Sequence, residues 1–171
     1  MINRVSLKLL EERKDLVGVE LGLNLGYNAK NILENLDIKM LYCVDPYIPY
    51  ENFTKEKVDR WKSIMYSEFK SRNDPNVTII EMKSIHAEKQ IPDELDFVYI
   101  DGGHDHQTVW SDINIYVNKI RKGGLLCGDN FECLTVRCAV YDFLVLGGNN
   151  LQLSGYGTNA DTETFDWWIW I

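Results

Sequence analysis

No window of this 171-residue chain approaches the roughly 20 consecutive apolar residues of a membrane-spanning helix. The amino-terminal stretch MINRVSLKLLEERKD is charged within a turn and has no apolar leader core, so no membrane partner is expected and the location is read as cytoplasmic. Positive charge is in deficit: 18 Lys and Arg stand against 26 Asp and Glu, a net charge of −8. Nonspecific nucleic-acid binding relies on Lys and Arg to release counterions, which makes large polyanions unexpected partners. The cysteines Cys43, Cys127, Cys133 and Cys138 form no C-x-x-C pair. Two of them fall in strand-like apolar runs, where a thiol behaves as a small hydrophobe, so all four are read as reduced and structural. No G-x-G-x-x-G is present, which argues against a nicotinamide oxidoreductase. Internal repeats and low-complexity tracts are also missing.

What remains is a composition 45% hydrophobic and 12% aromatic, sufficient for one packed core and a single domain over residues 1–171. Val5, Leu9 and Leu10 suggest a short amphipathic helix within Val5–Lys14. Leu16–Glu20 reads as the first strand, followed by a turn and a helix over Tyr27–Leu36 with Asn28 as its N-cap. A second strand, Lys39–Val44, stops at Asp45-Pro46. Residues 47–76 form a long insertion carrying a helix over Thr54–Ser71, whose Val58, Trp61, Ile64, Met65 and Phe69 repeat at three and four. This insertion is a candidate lid or interface.

Val77–Met82 is the third strand, and Ser84 can cap a short helix over Ile85–Lys89. Leu95–Ile100 is the fourth strand. A helix over His106–Ile120 is expected to stop at Lys122-Gly123-Gly124, ahead of the Leu125–Asp129 strand. The helix Val136–Leu146 would end on Gly147–Asn150. A short strand over Leu151–Leu153, a loop of turn composition and an aromatic strand over Phe165–Ile171 complete the chain. Alternating strands and helices imply an α/β fold: a doubly wound, mostly parallel sheet with helices on both faces. The last two strands lack an intervening helix, which fits an antiparallel C-terminal strand.

Chemistry gathers where strands end. Asp96–Asp105, DFVYIDGGHD, places Asp101 and His104 at a carboxyl end, and Leu125–Gly128 ends likewise on Asp129 and Asn130. In open α/β sheets ligands bind in the crevice outside such ends. Gly22 and Gly26, with Asn24 between them, form a glycine turn after the first strand, and Asp45 stands at the next strand's end, where an acid can grip a ribose diol. Together these favour a nucleoside cofactor without a diphosphate. Asp101, Asp129 and Asn130 are hard oxygen donors of the kind that suit Mg²⁺ or Ca²⁺. An unperturbed imidazole has a pKa of about 6.5, which makes His104 a candidate general base. The plainer reading keeps Asp45, Asp101 and Asp129 as caps and His104 as a turn anchor; Asp105 and His106 read as helix-start residues.

The segments VGVELGLNLG, LYCVDPY, DFVYIDGGHDHQTVWSDI and KGGLLCGDNF, in this order and spacing, resemble the class I S-adenosylmethionine-dependent methyltransferases. They look closest to the small branch with an acid-Gly-x-His segment after the fourth strand, which includes metal-dependent sugar and catechol-type O-methyltransferases. The resemblance implies a Rossmann-like seven-stranded sheet, with FDWWIWI as its antiparallel seventh strand. It implies Glu20, Gly22, Asn24, Gly26 and Asp101 around the cofactor's methionine end, Asp45 on the ribose hydroxyls, and Lys83, Ser84 and Ile85 along the adenine. It further implies Asp101, Asp129 and Asn130 on a divalent cation, expected to be Mg²⁺, and His104 with Asp101 in catalysis. Asn24 and Lys83 depart from the residues common at their positions. The expected activity is O-methylation of a small hydroxylated acceptor, without nucleic-acid or membrane partners and with homo-oligomerisation open. The alternative from another class is a cofactor-binding module or partner subunit without its own turnover.

Overall fold

Every residue of Leu95–Ile100 (β4) is buried, as a strand must be when helices cover both faces of a parallel sheet. β4 lies at the centre of seven strands. In chain order the others are β1 (Leu16–Leu21), β2 (Ile38–Val44), β3 (Val77–Ile80), β5 (Ile120–Gly128), β6 (Gly155–Thr158) and β7 (Phe165–Trp170). The spatial order is β3-β2-β1-β4-β5-β7-β6. The first five strands run parallel, β7 pairs antiparallel with β5, and β6 pairs antiparallel with β7. This computed structural model describes residues 2–50, 53–72, 74–146, 151–160 and 162–171.

The helices α1 (Tyr27–Asn35), α2 (Lys55–Arg72), α3 (Ser84–Ala87), α4 (His106–Tyr116) and α5 (Leu134–Leu146) cover the sheet. Successive strand residues point to opposite faces, so β4 feeds two cores. Val98 and Ile100 pack with Val109, Ile113 and Tyr116 of α4 and with Val136 and Phe143 of α5. Phe97 and Tyr99 pack with Ile32 of α1 and with Val58, Met65 and Phe69 of α2. Trp61 is half-buried against the second core, whereas Ile64, expected on the buried face, is exposed. The expected fold class and six of the seven strands are found near their expected places.

Five local expectations are corrected. The amino-terminal element is a 3₁₀ turn, Leu7–Leu10, that buries Leu7 and Leu10 and leaves Leu9 exposed, because its three-residue period aligns i with i+3. Lys122-Gly123-Gly124 does not end a helix. After Tyr116 a 3₁₀ turn, Val117–Lys119, leads directly into β5, and Gly123 and Gly124 exchange backbone hydrogen bonds with Ile171. Leu151–Leu153 is not a strand. The edge strand is Gly155–Thr158, where a Cβ on Gly155 would lie 2.3 Å from the Trp168 indole, so only glycine permits the approach. The N-cap of α1 is Gly26 in the left-handed region, and Ser84 lies inside α3 rather than capping it. Gly147–Asn150, expected to end α5, lie outside the described residues.

A buried polar knot ties the amino-terminal segment to the sheet. Asp166 of β7 is fully buried; its Oδ2 accepts from the Ser6 backbone N–H (3.0 Å) and hydroxyl (2.5 Å), and its Oδ1 from the Tyr99 hydroxyl (2.8 Å) and the Asn159 amide (2.8 Å). Burial raises the Asp166 pKa, and these donors oppose the rise. Asp166→Ala strands several buried donors and is expected to cost about 3 kcal/mol in urea unfolding, with a smaller loss for Asp166→Asn.

Candidate functional site

The sheet order reverses between β1 and β4, and a cleft of about 790 Å³ opens there at the carboxyl ends of the strands. Glu20, Gly22, Asn24, Asp45, Lys83, Ser84, Ile85, Asp101 and His104 all line it. Gly26 sits behind that wall at the start of α1, with φ +77° and Phe69 against the position a Cβ would take. Asp129 and Asn130 are not among the lining residues.

Close backbone approach shapes the floor. Gly22 has φ +94°, and a Cβ there would lie 2.0 Å from the Asp101 carbonyl oxygen, so the glycine is required. Asn24 also has positive φ, which Asn tolerates better than most residues. Its backbone N–H donates to Asp45 Oδ2 (2.9 Å), its carbonyl accepts from the Tyr47 hydroxyl (2.7 Å), and the Tyr47 N–H donates to Asp45 Oδ1 (2.8 Å). Asp45 thereby braces the turns after β1 and β2. Burial raises its pKa, and the backbone donors counter that rise.

Glu20, at the end of β1, is only 1% exposed. Asn28, expected as a cap, instead donates from Nδ2 to Glu20 Oε1 at 2.9 Å. Burial pushes the Glu20 carboxyl up to about 8 against that hydrogen bond. On α4, Asp112 is 2% exposed; burial pushes it up to about 6, and a hydrogen bond with Ser84 opposes this. Glu20 Oε2, Asn28 Oδ1 and Asp112 Oδ1 are buried without a hydrogen-bond partner, and all three residues line the cleft. Buried polar atoms are normally satisfied, so orphaned atoms clustered on one cleft mark where a polar guest belongs.

Asp101 follows β4, and its N–H donates to the Leu21 carbonyl at 2.8 Å. Its Oδ1 lies 3.7 Å from His104 Nε2, an ion-pair distance too long for a direct hydrogen bond. Burial raises the Asp101 pKa; His104 and Arg4 oppose the rise and Asp129 adds to it. The Thr135 hydroxyl anchors the turn by donating to the His104 carbonyl at 2.6 Å. Asp105 caps α4 as expected, accepting from Thr108 N–H at 3.0 Å, and His106 faces Asp142 at 2.8 Å.

Of the three expected metal donors, Asp129 is engaged by other groups of the chain. Asp129 Oδ2 pairs with Arg4 Nη1 at 3.1 Å and accepts from the Thr164 hydroxyl at 3.0 Å. Its Oδ1 accepts from the Asn130 N–H (2.7 Å) and the Asn159 amide (3.2 Å). Asn130 turns its own amide to Glu132. A divalent cation needs several free hard oxygens in near-octahedral array, and here a guanidinium already holds the carboxylate. Among the described residues no group of three or more His, Cys, Asp or Glu could hold a metal. Arg4, Asn28 and Asp112 were not anticipated. Arg4 belongs to no motif, Asn28 read as a cap, and Asp112 was hidden in a helical pattern.

A family profile described as Methyltransferase domain matches residues 17–131. An uncharacterized protein of Acanthamoeba polyphaga mimivirus is 27% identical over 127 residues, 71% of this chain and 54% of that protein, so the chain spans about half the length of this curated relative. An rRNA methylase from Streptococcus thermophilus superposes with a TM-score of 0.70 at 15% identity, covering 99% of this chain and 97% of that one. Aeropyrum pernix fibrillarin with natively bound S-adenosyl-L-methionine gives 0.65 at 14% identity, covering 94% and 68%. At these identities the solved structures establish the shared fold. With its reversal-point cleft and a profile match over two thirds of its length, the chain belongs to the Methyltransferase domain family.

Proposed function

We propose that the protein is an S-adenosylmethionine-dependent O-methyltransferase acting on a small hydroxylated acceptor. The observation that carries this reading is the cleft itself, where an acid at the end of β1, an acid at the end of β2 and an acid–histidine pair after β4 face one space holding three orphaned polar atoms. S-adenosylmethionine, when bound, supplies a methyl group on a positively charged sulfur, open to in-line attack by a hydroxyl oxygen.

The chain's residues align and deprotonate. Glu20 accepts hydrogen bonds from an ammonium group, which also satisfies its orphaned Oε2. Asp45 holds sugar hydroxyls with the lone pairs its two backbone donors leave. Lys83, Ser84 and Ile85 run along the base. His104 takes the acceptor's proton, and Asp101 stabilises the imidazolium that results. Exposed Tyr27, Ile48 and Tyr50 at the cleft mouth give the acceptor an apolar wall. The net charge of −8 favours a small acceptor over nucleic acid. Among the described residues no helix is long and apolar enough to cross a membrane. Magnesium assistance, the finer expectation, has no support in the Asp129–Arg4 geometry, and no step here passes through a metal.

Calorimetry with S-adenosylhomocysteine tests the cofactor reading: the wild-type chain binds, and Glu20→Gln weakens binding about 10-fold or more, the loss of a charge-assisted hydrogen bond. No binding by wild type would overturn the reading. His104→Ala is expected to retain cofactor binding and lower turnover about 100-fold or more. Binding without turnover across a broad hydroxyl-acceptor panel would favour the catalytically silent module instead. Glu20 also sets a pH dependence. Its pKa is about 8 folded against 4.5 for the free side chain, so between these values the folded chain holds a proton that the unfolded chain has released. Unfolding free energy therefore falls as pH rises through this window, and urea unfolding at several pH values should show Glu20→Gln flattening the slope.

A further inference from the structure

We propose that this site carries its cation in the chain: the Arg4 guanidinium, clamped on Asp129 at the end of β5, stands where a divalent metal would be held and orients the acceptor without one. The inference rests on the methyltransferase reading for what occupies the cleft, but its placement of the charge stands on contacts alone.

Arg4 lines the cleft together with Asp101 and His104. Its side chain is 12% exposed, and the Asp129 side chain that it pairs with is 5% exposed. The segment that delivers it is fixed on both sides. Asn3 accepts from the Ala160 N–H at 3.0 Å, the Val5 N–H donates to Asn159 Oδ1 at 3.1 Å, and Ser6 is held by Asp166. The Asn159 amide bridges the two acids, donating to Asp129 at 3.2 Å and to Asp166 at 2.8 Å. The backbone on either side of Arg4 is thus held by buried and part-buried hydrogen bonds, and its guanidinium rests on a nearly buried carboxylate, unlike an exposed ion pair, whose geometry is loose and screened.

Its charge acts on the site as well: Arg4 opposes the burial that raises Glu20 and Asp101. A dication entering beside Asp129 would have to displace Arg4, Thr164 and Asn159 from the carboxylate, or stand against a like charge. A guanidinium differs from a metal in what it offers. It donates hydrogen bonds in a planar fork and holds an oxygen by direction, whereas a Lewis acid draws charge from it. Deprotonation of the acceptor then rests on His104, with Arg4 holding the hydroxyl oxygen as charge develops.

Manganese titration by calorimetry, with electron paramagnetic resonance of bound Mn²⁺, tests this on the full chain with and without S-adenosylhomocysteine. Wild type should show no site-specific Mn²⁺. Arg4→Ala exposes the Asp101 and Asp129 oxygens and should bind Mn²⁺ about 10-fold or more tightly than wild type, because affinity follows ligand charge. Adding Asp129→Asn should abolish that gain. The proposal is overturned if wild type binds Mn²⁺ and Asp129→Asn removes it, or if folded Arg4→Ala gains nothing. Should Arg4→Ala not fold, Arg4→Gln removes the charge while keeping a hydrogen-bond donor, and the wild-type titration decides on its own. Failure to bind S-adenosylhomocysteine would sink the methyltransferase reading separately, without altering the Mn²⁺ result.

Discussion

Two buried carboxylates joined by one amide hold the working end of this molecule together. Asn159 donates to Asp129 and to Asp166, and through them the turn before β7, the end of β5, the hydroxyl of Tyr99 on β4 and the amino-terminal segment meet at one point. Burying two acids is costly unless each oxygen finds a donor, and here each does. Removing Asp166 leaves the Ser6, Tyr99 and Asn159 donors short of an acceptor, so the set is sensitive at that residue above all. It places Arg4, an otherwise unremarkable charged residue near the amino terminus, within the cleft.

The cleft is the opposite case. Glu20, Asn28 and Asp112 keep buried polar atoms unpaired, and several acids facing the same space have raised pKa values. The Asp166 carboxylate is satisfied and the Glu20 carboxylate is not, so the unpaired acid lies where a guest can supply its partner. A cationic group entering near Glu20 would restore the ionised carboxylate and supply the missing hydrogen bond together.

The framework was legible because it is written in local patterns. Apolar runs ending on acids became β1, β2, β4 and β5 with those acids at the sheet's edge, and the glycine turn after β1 folded as its φ values demand. What escaped was non-local or compositionally disguised. Nothing near Asp129 in sequence signals that Arg4 will pair with it, so the cationic partner of this one member of the hard-oxygen set could not be read from local pattern. The edge strand Gly155–Thr158 reads as a loop, yet its Gly155 is there to admit the Trp168 indole, a requirement set by a residue on another strand. Likewise Asn28 satisfied the local rule for a cap while its side chain answered to Glu20 on a neighbouring element.

The contact between Gly22 and Asp101 has a mechanical side. Backbone meets backbone too closely there for any side chain, and the Asp101 N–H is bonded to the Leu21 carbonyl one residue away. The turn after β1 and the turn after β4 are therefore one stiff plate, and neither can shift without carrying the other. Tyr27, Ile48 and Tyr50 line the same cleft with exposed side chains outside this contact. The close backbone contact and the exposed apolar side chains are thus supplied by different residues, so substitution of the second set leaves the first contact in place.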